Sequence, residues 1–113
     1  MYELTPYNET LLLDSDFVIN NDLFLSCFDS EQDLLLYKDS YDLNDTRNPK
    51  EFEYISDSGC DFYWATCVFF RKTKTNKIYF ELTKHIQENW QHYNSIFQIN
   101  KNTFRNDWVF SIA

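Results

Sequence analysis

Glycine is almost missing from this chain of 113 residues: Gly59 is the only one, and Pro6 and Pro49 are the only prolines. Without a glycine-rich stretch the chain can form neither a Walker loop nor a dinucleotide-binding fingerprint, so a bound phosphate would need another device to hold it. Cysteine is sparse too. Cys27, Cys60 and Cys67 are an odd set with no C-x-x-C spacing, which suggests neither a zinc knuckle nor a disulfide framework and leaves reduced, partly buried thiols as the expectation. Positive charge is in short supply. Ten Lys and Arg stand against eighteen Asp and Glu, a formal charge of −8, and that balance argues against a general phosphate-backbone binder, so no nucleic-acid partner is expected. No apolar run approaches the roughly 20 residues of a membrane span, and no basic segment followed by an apolar one opens the chain. A cytoplasmic location is the default that follows.

What the chain has in quantity is aromatic rings: eleven Phe, eight Tyr and three Trp, 19% of residues. A core built from large rings is expected, within a single domain over residues 1–113. The organisation reads as α/β. Thr10 to Leu13 is an apolar run of strand length, expected to be buried on both faces, and it ends at Asp14-Ser15-Asp16. Phe17 to Asn20 reads as a short extended piece. Asn21 or Asp22 can cap a helical turn through Leu23, Phe24 and Cys27. Asp33 to Tyr37 reads as a second buried strand and Phe62 to Phe70 as a third, rich in aromatic and β-branched residues. Between them, Lys38 to Asp61 reads as a long polar loop of the kind that is usually functional or mobile. Thr73 or Thr75 can cap one long helix, with Ile78, Leu82, Ile86, Asn89 or Trp90, Tyr93 and Phe97 at helical spacing. Thr103 can cap a last, shorter helix beginning at Phe104.

Several residue sets invite a chemical role, each beside a plainer one. Asp14 and Asp16 at a strand end are, by spacing alone, first an ordinary polar turn and second a pair of ligands for a hard divalent cation that could in turn hold a diphosphate. Asp107 reads first as an acid in a helix's first turn, favoured by the helix dipole. His85 and His92 lie seven residues apart, too far for one metal ion without a further ligand, and read as solvated surface. Trp64, Trp90 and Trp108 could stack a sugar or base but read as core or interface. Arg71, Lys72, Lys74 and Lys77 read as a solvated helix end more than a phosphate site.

The run Thr5-Pro6-Tyr7-Asn8-Glu9-Thr10-Leu11-Leu12-Leu13-Asp14-Ser15-Asp16 resembles the metal-motif segment of glycosyltransferases with the GT-A fold that use nucleotide-diphosphate sugars, including the glycogenin-like group. Phe62–Phe70 is similar to the strand that follows the metal motif and lies against the sugar site in such enzymes, and Phe104–Ala113 looks like their later acidic segment. The resemblance implies a partial GT-A, Rossmann-like mixed sheet with one long helix and a shorter C-terminal helix. It implies that Asp14 and Asp16 bind Mn²⁺ or Mg²⁺, which bridges the diphosphate of a nucleotide-sugar donor, and that Asp107, with Asn106 beside it, contacts the sugar passed to an unknown acceptor. The loop from Lys38 to Asp61 would be the lid over the donor. The family's amino-terminal nucleotide-binding half has no counterpart here, so a fragment, a truncated gene product or a shortened homologue with a different role is expected, with a homodimer or aggregate formed through the sheet edge left open. Two further readings stand beside it: a small acidic interaction protein that imitates nucleic-acid phosphates, and a remnant that keeps the fold without the chemistry.

Overall fold

At the centre lies one strand, Trp64–Arg71 (β5), with Glu9–Leu13 (β1) on one side and Leu34–Tyr37 (β2) on the other, both antiparallel to it. This arrangement comes from a computed structural model that describes residues 1–39 and 52–113. The protein is thus mixed α/β with a small antiparallel sheet and several helices. Leu13 faces Cys67 and Thr10 faces Phe70 across the first pair. Leu36 faces Val68 across the second, and a register shift follows between Leu36 and Tyr37.

The position of β5 follows from its composition. Val68, Phe69 and Phe70 are at most 1% exposed, so consecutive residues are buried on opposite faces and the strand needs cover on both. Val68 and Phe70 join Phe80 and Phe110 in one apolar cluster, with Leu12, Leu34 and Leu36 packed against it. On the other face Phe69 meets the edge of Phe28, with ring centres 5.2 Å apart. β1 and β2 lie at the margins of the sheet and are half-buried. The expectation that both are buried on two faces is therefore corrected: leucine-only runs of four residues or fewer pack one face well, and the large rings of β5 take the centre.

Thr73 caps the helix Lys74–Glu88 (α2), its side chain accepting from the Asn76 N–H at 3.2 Å. The face it buries is Asn76, Phe80, Thr83 and Ile86, with Ile78 66% exposed and Leu82 also exposed. Of the expected stripe only Ile86 lies at the centre. Phe80 sets the rotation, because it packs edge-on against Phe70 at 4.7 Å and also meets Tyr2 and Phe110. The expected single long helix is also two. At Asn89 the backbone leaves the helical region, and its side-chain amide donates to the His85 carbonyl at 2.9 Å. That bond offers the chain an alternative to continuing the helix. A second helix, Trp90–Ile96 (α3), follows, and its Trp90 stacks on Trp108 with ring centres 5.6 Å apart.

The last helix is Asn106–Ile112 (α4), which buries Asp107, Trp108, Val109 and Phe110; Arg105, not Thr103, stands at its N-cap. The expected extended piece at Phe17 to Asn20 carries no strand. Leu23–Leu25 forms a 3-10 turn and Ser26–Asp29 a short helix (α1), with the Asn21 side chain accepting from the Leu23 N–H at 3.0 Å.

Part of the expected loop from Lys38 to Asp61, residues 40–51, lies outside the described residues. Its later part is ordered structure: Tyr54–Ile55 (β3) pairs with Cys60–Asp61 (β4) across a 3-10 turn at Ser56–Ser58. Gly59, at φ 72°, takes the left-handed conformation that closes this hairpin. Ile55, Phe62, Trp64 and Trp108 form a second buried cluster beneath it. All three tryptophans therefore belong to the core or its border.

Candidate functional site at the start of β5

Two aspartates bond to the first residues of β5, Asp14 through its backbone N–H and Asp107 through its carboxylate. The Asp14 N–H donates to the Thr66 carbonyl at 2.9 Å, continuing the β1–β5 ladder by one bond. The Asp14 carbonyl then accepts from the Phe17 N–H at 3.1 Å, which closes a turn over Asp14, Ser15 and Asp16. Both carboxylates of that turn are exposed, and neither is in an ion pair with a described residue.

Asp107 comes from the first turn of α4. Its Oδ1 accepts from the Ala65 N–H at 2.8 Å, and its Oδ2 accepts from Arg105 Nε at 2.8 Å and Arg105 Nη2 at 2.7 Å. The carboxylate is 6% exposed and holds three N–H donors, so a sugar hydroxyl would reach it only where Arg105 swings aside. Arg105 itself lies over the Trp64 ring, 5.4 Å from its centre. Ser111 completes the join. Its hydroxyl accepts from the Tyr63 N–H at 2.8 Å and donates to the Asp107 carbonyl at 2.6 Å. The start of β5 is therefore fastened to α4 by side chains, and Asp14 and Asp107 attach to neighbouring residues of one strand.

Asn106 faces the other way. It borders a cavity of about 570 Å³ between α2 and α4, together with Tyr2, Thr83 and Phe110, and neither Asp14 nor Asp107 lines it. The structure thus brings Asp14, Asp16 and Asp107 to one end of the sheet and separates Asn106 from them. Among the described residues no group of three or more His, Cys, Asp and Glu is placed to hold a metal ion. Asp14 and Asp16 remain a pair of exposed carboxylates, a donor set that suits a hard cation arriving with phosphate oxygens and waters of its own.

The other candidates resolve into structural roles. His85 and His92 are exposed, on α2 and α3, and each meets the Tyr93 ring edge-on, with centres 6.1 and 5.5 Å away. Arg71 donates to Glu9 at 2.7 Å and to the carbonyls of Phe28, Ser30 and Gln32 at 2.8 to 2.9 Å. Lys72 donates to the Thr5 carbonyl at 2.6 Å and Lys77 pairs with Glu81, so the basic cluster binds the chain to itself.

Lys38 pairs with Asp61 at 2.8 Å, and the bond holds its ammonium above the ordinary lysine range. Burial pushes the Cys67 thiol up, with a smaller push from Cys27, and burial pushes the Tyr79 hydroxyl well above the ordinary tyrosine value, with a smaller push from Tyr63. Sequence reasoning passed over Arg105, Ser111 and Lys38. For Arg105 there was a signal, a cation two residues before an acid at a helix start. For the other two the partner lies far along the chain.

No protein-family model, curated protein or solved structure matches this chain.

Proposed function

We propose that this chain is a glycosyltransferase-like domain of partial GT-A type, in which Asp14 and Asp16 hold Mn²⁺ or Mg²⁺ together with the diphosphate of a nucleotide-sugar donor. The observation that carries the reading is the convergence at β5. The strand after the acidic pair is the direct ladder partner of the strand before it, and Asp107 from the last helix bonds to the adjoining residue of that same strand. A motif, a following strand and a later acidic segment, matched separately along the sequence, are thereby neighbours in space.

The exposure of Asp14 and Asp16, and the lack of an ion pair to either among the described residues, suit a site completed by its ligand. The metal would neutralise charge on a departing diphosphate. Asp107, held by Ala65 and Arg105, sets the position of α4 against β5 and with it the wall facing the donor sugar. The acceptor is any hydroxyl compound that reaches that wall.

Calorimetric titration of the chain with Mn²⁺, with and without uridine diphosphate, tests this against an Asp14→Ala, Asp16→Ala double variant. Metal binding that strengthens with the nucleotide and vanishes in the variant is the expected result. Binding that is weak in both proteins and indifferent to the nucleotide would refute it, and would leave the fold as that of a remnant or an acidic interaction module.

A further inference from the structure

Among the described residues, the 3-10 turn and α1 lie over the face of the sheet opposite α2 and α4, with Phe28 seated on Phe69 and Phe17 edge-on to Phe24 at 5.8 Å. The outer surface of this cover is apolar. Of the fifteen large apolar side chains that the described residues leave exposed, six fall here: Phe17, Val18, Ile19, Leu23, Leu25 and Phe28, with Val18 85% and Leu23 67% exposed. Neighbours in sequence and linked by the Phe17–Phe24 contact, they amount to several hundred Å², roughly the size at which a patch on a monomer signals an interaction site.

The charge around the patch is of one sign. Residues 1–37 hold eight carboxylates and no lysine or arginine. Asp22, Asp29 and Glu31 rim the patch along the chain, and none is in an ion pair with a described residue. Among the described residues two cations reach this segment: Lys72 is spent on the Thr5 carbonyl, and Arg71 on Glu9, on Asp33 at 3.8 Å and on the carbonyls of Phe28, Ser30 and Gln32. Those three bonds also fasten α1 and the chain after it to the end of β5. The platform is therefore formed in advance, which lowers the ordering cost of binding.

We infer that this surface docks a basic amphipathic helix of another protein, its apolar face on Val18, Leu23 and Leu25 and its lysines or arginines against the acidic rim. A second copy of this chain fits poorly. A two-fold contact would set the same carboxylates against themselves, whereas a cationic rim on the partner is complementary. The inference is independent of the metal-nucleotide reading, because its anchors are apolar residues outside the Asp14–Asp16 turn.

The test is an NMR titration of the isotope-labelled full chain with a synthetic helix of about five turns bearing leucines on one face and lysines on the other. A counterpart with glutamates in place of the lysines serves as the control. Expected are shift changes confined to residues 17–33, binding that weakens as salt rises, and no binding of the glutamate helix. Val18→Ser with Leu23→Ser, both at exposed positions that leave the fold intact, should weaken binding about tenfold. Asp22→Lys with Asp29→Lys should weaken it comparably and let the glutamate helix bind. Shift changes centred elsewhere, or equal binding of both helices, would overturn the proposal. So would sedimentation showing a dimer that Val18→Ser, Leu23→Ser converts to monomer, since the surface would then belong to a second copy.

Discussion

Asp107 shows how a single side chain can join distant parts of a small protein. Its carboxylate satisfies the Ala65 N–H at the start of β5 and gathers the Arg105 fork, and a buried polar group partnered in this way costs most when one member alone is removed. Asp107→Ala leaves the buried N–H and the guanidinium without their acceptor. Because Arg105 is partly open to water, the cost is expected at about 2–3 kcal/mol, below that of a fully enclosed pair. Urea unfolding curves measure it, and Asp107→Asn should fall between the two. An Asp107→Ala protein of unchanged stability would mean that the carboxylate is not the tie between α4 and β5. Sequence alone marked Asp107 as notable but could not say which groups it holds, since its partner on β5 lies 42 residues away.

At the scale of elements, α2 carries the clearest lesson. Two helical stripes run along it, Ile78-Leu82-Ile86 and Asn76-Phe80-Thr83-Ile86, and periodicity admits both. Phe80 decides between them by meeting Phe70 and Phe110, and it turns Ile78 outward. Ile86, 1% exposed, should lose about 3 kcal/mol when changed to Ala, while Ile78→Ala should cost less than about 0.5 kcal/mol. Denaturant midpoints of the two variants check this, and comparable losses would place both residues in the core. A threonine cap at the helix start was legible, since a capping hydroxyl needs only the next few residues, and the structure chose Thr73 over Thr75. The break at Asn89 was not, because a lone Asn does not by itself end a helical pattern, and the stacking of Trp90 on Trp108 beyond it joins residues far apart in the chain.

For the whole molecule the buried thiol and phenol set a limit at high pH. Cys67 and Tyr79 both hold their protons in the folded state beyond the values of 9.0 and 10.0 that they would have when unfolded. The unfolded chain therefore releases protons first as pH rises. The stability these groups contribute is complete below about pH 9, and it declines as pH rises through 9 for Cys67 and through 10 for Tyr79. Tyr79→Phe removes the 2.7 Å bond to the Phe110 carbonyl, so it should cost about 1 kcal/mol at neutral pH yet flatten the decline above pH 10. Unfolding midpoints across that range give the measurement, and a variant that declines as steeply as the parent would assign the limit to other groups. By itself the sequence determined the elements whose cause is local: the apolar runs of β1, β2 and β5, a threonine cap before α2, the turn of Asp14 and Asp16, the ring-rich core and the first third without lysine or arginine. Tertiary structure alone decided which strand is central, which face of α2 is buried, that Asp107 is held by Ala65 and Arg105, and that Asn106 faces away from it. The physical reason is that strand order and side-chain pairing depend on competition among large rings for the same buried space, and that competition is settled between residues tens of positions apart.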